Sequence, residues 1–162
     1  MYGFRPATRA DLPMLRRWLE TPEVVAWWGD PAEQYALLDE DLDNPLMTML
    51  VVEDAAGRPF AYAQHYDVGS WPQPHFADLP AGSRAIDAFV GEPDMLGIGH
   101  GGRFLRLLAR RLKAEGAPAV AIDPDVDNAR ARRAYARAGF REVGARETLE
   151  GPAMVMLFGE TP

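Results

Sequence analysis

The apolar positions of this chain switch repeatedly between helical and strand spacing. Leu12, Leu15, Trp18 and Leu19 recur at helical intervals behind Thr8-Arg-Ala-Asp11, where Thr8 is placed to cap a helix and Asp11 to reach back to it. Pro22 suits a first helical position, so residues 23–28 predict a short second helix. Gly29-Asp-Pro31 breaks it, and an acidic helix over roughly 32–42 follows. Residues 46–53 and 60–66 read as buried strands joined by Asp54-Ala-Ala-Gly57, an antiparallel hairpin. Residues 84–91 give a third long strand. Phe104, Leu105, Leu108 and Leu112 mark a helix running to about Glu115. A short strand at 119–122 and a helix over 128–137 follow, the helix closed by Gly139. Strands at 140–145 and 153–158 end the pattern, and residues 2–6 make at best an edge strand because Pro6 cannot donate. This order predicts one domain over 1–162, an α+β (mixed α/β) sheet with helices on its faces. The proline-rich stretch 69–82 has little periodicity and is long for a structureless connection.

Composition narrows the chemistry. The chain has 162 residues and no cysteine, which removes disulfides, thiolate metal sites and cysteine nucleophiles. His65, His75 and His100 are too scattered to form a metal cluster, so no metal is expected. A formal charge of −7 disfavours nucleic acid and suits a cationic small molecule, although net acidity also serves solubility alone. No leader pattern and no membrane-length apolar run occur, so a cytoplasmic protein without membrane partners is expected.

Met95-Leu-Gly-Ile-Gly-His-Gly-Gly-Arg-Phe104 is a glycine-rich turn opening into a helix. Uncovered backbone N–H groups and the positive helix end make such a turn an anion seat, most simply for phosphate, or a plain flexible cap. Asn128 caps the later helix, and Tyr135, two turns on, falls on nearly the same face. Its phenol is either an amphipathic core residue or a proton donor to a leaving group. Asp87 interrupts an apolar strand, where a carboxylate needs a partner: Arg84, a backbone donor, or a bound amine. Asp123 ends a buried strand, a common place for ligand contacts, and also suits a turn with Pro124. Trp27 and Trp28 are candidates for the core or for the wall of an amine site. Arg103 and Arg106 are within reach of phosphates or form a solvated face. On a strand, His65 points away from Gln64 and Tyr66, and His100 is expected to be exposed.

Asn128, Ala131, Tyr135 and Gly139-Phe140 resemble the second acetyl-CoA-contacting motif of the GNAT N-acetyltransferases, and Leu96-Gly-Ile-Gly-His-Gly101 takes the place of their pyrophosphate loop. The superfamily usually opens that loop with Gln or Arg where this chain has Leu96, which leaves the holding to the backbone. Trp27-Trp28-Gly29, Glu33-Gln-Tyr35, Tyr62-Ala-Gln64 with Tyr66, Ala85-Ile-Asp87 and Ile122-Asp-Pro124 resemble the aminoglycoside 6′-N-acetyltransferases, over about 4–158.

The resemblance implies a GNAT fold: a central, mostly antiparallel sheet splayed at the acetyl-CoA site, with helices on both faces. It implies acetyl-CoA as cosubstrate, held by Phe89, Val90, Gly91, Gly97, Ile98, Gly99, His100, Gly101, Gly102, Asn128, Ala131 and Tyr135. A primary amine would dock among Trp27, Trp28, Gln64, Tyr66, Asp87 and Asp123. Asp87, or water on it, would accept the amine proton, N–H groups around 89–91 would polarise the carbonyl, and Tyr135 would protonate the thiolate. Antibiotic resistance is the role such enzymes suggest. The siderophore-type lysine or hydroxylysine N-acyltransferases share much of this pattern, and His75 suits them. A coenzyme-A-binding sensor without catalysis is the third reading. Monomer and homodimer both remain open.

Overall fold

The structure is a computed structural model that describes residues 1–159. The first three helices begin where the sequence supplies a reason. The Asp11 carboxylate accepts the Thr8 N–H at 2.8 Å and, through both oxygens, a bidentate pair from Arg5. Helix α1 (Leu12–Leu19) then buries Leu12, Leu15, Trp18 and Leu19. Proline occupies the first position of α2 (Pro22–Trp28) and α3 (Pro31–Asp41), and Asp30 caps α3 by accepting the Glu33 N–H.

Strands β1 (Gly3–Pro6), β2 (Met47–Glu53), β3 (Pro59–Asp67), β4 (Arg84–Val90), β5 (Val120–Ile122), β6 (Phe140–Thr148) and β7 (Gly151–Phe158) form a mixed sheet in the order β1-β2-β3-β4-β5-β7-β6. Helices α4 (His100–Ala114) and α5 (Ala129–Ala138) complete the described elements. The last two strands are longer than their apolar pattern predicts. They form one hairpin from Phe140↔Phe158 to Thr148↔Gly151, and the outer end of β6, beyond 145, is polar and gives no hydrophobic signal.

The chain divides into two compact units. The first comprises Met1–Gln64 and Ala88–Gly101; the second comprises His65–Asp87 and the described chain from Gly102 onward. In the first, β1 lies antiparallel to β2 with Phe4 opposite Val52, and Trp18, Phe60, Tyr62 and Val51 are fully buried. In the second, β4 and β5 run parallel, with Ala85 opposite Ala121 and Ile86 opposite Ile122. That pairing spans three residues and stops at Ile86, so Asp87 follows beyond the last β5 partner. Pro124 ends β5 because it has no N–H; its carbonyl instead accepts the Met154 N–H at 2.8 Å.

The stretch 69–82 is more ordered than its composition suggests. Its base is closed by the Val68 N–H on the Ser83 carbonyl at 2.9 Å. A 3-10 turn at Pro74–Phe76 buries His75 and Phe76, so two inward side chains replace the missing periodicity.

Candidate active site

The first unit carries the glycine turn. Gly97 and Gly99 have φ of 74° and 93°, a left-handed backbone open to glycine without strain. Gly99 precedes the first helical residue, His100, and has no side chain with which to cap the helix. The leading N–H groups of α4 therefore have no capping side chain from that position, which fits a phosphate seat built from backbone. Ile98, between the two, is 58% exposed.

His100 departs from the expectation of exposure. It is half-buried, its Nδ1 lies 2.7 Å from the Tyr2 hydroxyl, and its ring packs against Tyr2 and Phe60. Tyr2 and Phe60 come from distant sequence, so only folding discloses this burial. Gly102 also has a packing reason for its identity: a Cβ there would stand 3.0 Å from the Ala134 carbonyl oxygen of α5.

Phe89 lies in an aromatic cluster. Trp28 meets it edge-on at 5.0 Å between centroids, Trp18 edge-on at 6.3 Å, and Tyr62 tilted at 5.4 Å. Trp27 points elsewhere and is 41% exposed. The adjacent tryptophans thus divide between packing and solvent. Gln64 is buried, and its Oε1 accepts the Tyr62 hydroxyl at 2.7 Å. The Gly91 N–H donates to the Phe60 carbonyl at 2.8 Å. Of the N–H groups expected to polarise an acyl carbonyl, that one is already engaged. Val90 lies beside the turn, its Cγ2 at 3.6 Å from where a Gly101 Cβ would stand.

The second unit gathers the ionisable residues. Because β4 and β5 are parallel and in register at Ile86↔Ile122, Asp87 and Asp123 are the next residues of neighbouring strands. Asp123 Oδ2 lies 2.7 Å from His75 Nε2, and the His75 side chain is only 5% exposed. Tyr66 is buried, and its ring lies 6.1 Å from that of Trp71. Burial pushes the Tyr66 hydroxyl far above the ordinary phenol range, and the charges of Asp87 and Asp123 push it further. Tyr135 behaves alike: burial raises it most, followed by Asp87 and Asp123. Both phenols therefore stay protonated at neutral pH.

Arg84 Nη2 donates to His65 Nδ1 at 2.6 Å. Burial, followed by the Arg84 charge, lowers His65 to about 4 and keeps it neutral. As alternation predicts, His65 takes a different partner from Tyr66. On α5, Asn128 Oδ1 accepts the Ala131 N–H at 3.1 Å. Asn128 therefore caps the helix with its oxygen, and the Ala131 N–H is spent on the cap. Tyr135 packs on Phe140 at 6.3 Å.

The meeting of His75 with Asp123 has no counterpart in the sequence pattern. The signal, a histidine within a proline-rich loop, gives no indication of which strand end it meets. Among the described residues, no group of acidic and histidine side chains is arranged to hold a metal ion.

Residues 7–148 match the acetyltransferase (GNAT) domain family. Aminoglycoside N(6′)-acetyltransferase type 1 of Klebsiella pneumoniae is 33% identical over 170 residues, covering 94% of this chain and 80% of the relative. The solved structure of AAC(6′)-Ib in complex with paromomycin and acetyl-CoA superposes with a TM-score of 0.85 at 31% identity, over 97% of this chain and 92% of that one. An uncharacterised protein from Bacillus halodurans shares the fold, with a TM-score of 0.88 at 20% identity over 97% of this chain and 83% of the other. With the glycine turn opening α4, Asn128 capping α5 and Tyr135 beside two carboxylates, the chain belongs to the GNAT acetyltransferases, in the aminoglycoside 6′-N-acetyltransferase group, and is an acetyl-CoA-dependent acyltransferase.

Proposed function

We propose that the protein transfers the acetyl group of acetyl-CoA directly to a primary amine of a cationic small molecule, the 6′-amine of an aminoglycoside. The observation that carries this reading is the convergence of Asp87 and Asp123 on Tyr66 and Tyr135 in one unit. Two carboxylates, Asp87 within β4 and Asp123 just past β5, attract an ammonium group. Asp87 binds that ammonium and takes up one proton, directly or through water, which frees the lone pair for attack. When bound, acetyl-CoA supplies a thioester whose carbonyl is attacked and whose thiolate departs.

Tyr135 is suited to protonate the thiolate. Its hydroxyl keeps its proton at neutral pH, and its place on α5 is shared with Asn128, the cap carried over from the coenzyme-contacting motif. Phe89, Val90, Ile98 and the glycines from Gly97 to Gly101 would contribute backbone to the donor. Asp123, oriented by His75, assists on the acceptor side. No covalent enzyme intermediate is required.

The His75–Asp123 pair favours one second reading, acylation of a lysine or hydroxylysine side chain, because a histidine in this loop is the feature that group shares. A thiol-release assay separates the two. Acetyl-CoA is offered with kanamycin-type aminoglycosides, with polyamines and with hydroxylysine derivatives. Release with aminoglycosides is expected. Release only with hydroxylysine selects the second reading, and coenzyme A binding without any release identifies a sensor. Coenzyme A at a hundredfold excess over its Kd should stabilise the fold by about 2.7 kcal/mol.

A further inference from the structure

Glu92 follows the end of β4 and precedes the Pro93–Met95 turn that leads into the glycine turn. Its carboxylate is 17% exposed and is held from three directions. Oε1 accepts the Trp18 indole N–H at 3.0 Å and an Arg17 N–H at 2.8 Å, both from α1. Oε2 lies 3.6 Å from Arg58 Nη2, on the turn between β2 and β3. Arg58 in turn forms a bidentate pair with Asp94 at 2.8 and 2.9 Å, inside the Pro93–Met95 turn. The backbone is fixed as firmly. The Phe60 carbonyl accepts both the Gly91 and the Glu92 N–H groups, and the Met95 N–H returns to the Glu92 carbonyl at 3.0 Å. A Cβ on Gly91 would overlap the Trp18 indole, so the ring lies flush on the strand end.

We infer that Glu92 is a positioning residue for the acyl donor. It ties α1, the β2–β3 turn and the strand end to the segment that presents the glycine turn, all within the first compact unit. One carboxylate with two guanidinium neighbours and an indole donor holds this geometry by charge-assisted hydrogen bonds. The inference rests on the acetyl-CoA reading of that turn, and Glu92 itself touches no reacting atom.

The test is Glu92→Gln in the full chain, with calorimetric binding of coenzyme A beside steady-state kinetics. The expected result is a weakening of coenzyme A binding and a rise in KM for acetyl-CoA of about fivefold or more. Turnover and the KM for the amine should stay within about twofold of wild type. Asp11→Asn, which disrupts the Arg5–Asp11 pair in the same unit away from the turn, is the stability control and should leave donor affinity unchanged. Equal donor affinity in Glu92→Gln and wild type overturns the inference, as does an equal loss in Asp11→Asn. If Glu92→Gln does not fold, Asp94→Asn removes the outer half of the Arg58 bridge and should move donor affinity in the same direction; unchanged affinity there is equally fatal. A wild-type chain that neither binds coenzyme A nor releases thiol refutes the parent reading instead.

Discussion

His75 Nε2 and Asp123 Oδ2 stand 2.7 Å apart, joining the loop before β4 to the end of β5. The histidine is the more buried partner, so its ring is held by packing and orients the carboxylate. His75→Ala should therefore cost acceptor-side efficiency without affecting the donor. The amine kcat/KM should fall by about tenfold, with the KM for acetyl-CoA unchanged. Initial-rate kinetics with each substrate varied would check this. An unchanged amine kcat/KM would leave His75 as a loop anchor only.

Tyr135→Phe removes one hydroxyl and little volume. A general acid contributes about 10²–10⁴-fold, so turnover should fall within that range while coenzyme A affinity holds. Single-turnover kinetics with calorimetric binding separate these quantities. Wild-type turnover would eliminate the proton-donor assignment.

Asp87→Asn keeps the shape of the side chain but removes its charge. Two losses should follow: weaker binding of the cationic amine, and a shift of the rate profile to higher pH as the amine must deprotonate unaided. A pH series of kcat/KM for the amine reads both. Unaltered kinetics would make Asp87 a structural carboxylate.

His65 makes folding stability depend on pH. Its folded value of about 4 lies below the unfolded 6.5, because burial and the Arg84 charge disfavour the imidazolium. Between those values the unfolded chain binds the additional proton, so stability rises with pH across this window. Its contribution is complete above about pH 6.5 and is lost as pH falls through 4, on the order of 3 kcal/mol in all. His65→Gln retains an acceptor for Arg84 and does not titrate. Its melting temperature should vary less between pH 4 and 6.5 than that of wild type, as scanning calorimetry would show.

Gly91→Ala should destabilise the fold by roughly 1–3 kcal/mol, because the added methyl enters the space of the buried Trp18 ring. Chemical denaturation measures this. Neutral stability would mean that the indole moves aside without cost.

Local rules sufficed wherever neighbours in sequence decide the outcome. The helical spacing of Leu12, Leu15, Trp18 and Leu19, the prolines that open α2 and α3, the Asn128 cap and the glycine turn before α4 are all set by short-range sterics and hydrogen bonding. The glycine turn and the capped start of α5 are legible for the same reason, since a helix end and its turn form a continuous stretch. Tertiary structure decided what depends on partners distant in the chain. The parallel register that makes Asp87 and Asp123 neighbours is a property of two strands separated by α4. The burial of His100 by Tyr2 and Phe60, the meeting of His75 with Asp123, and the grip of Arg17, Trp18 and Arg58 on Glu92 are likewise long-range. A polar side chain has no periodicity to announce its partner. Burial forces it to find one, and only the packed fold determines which.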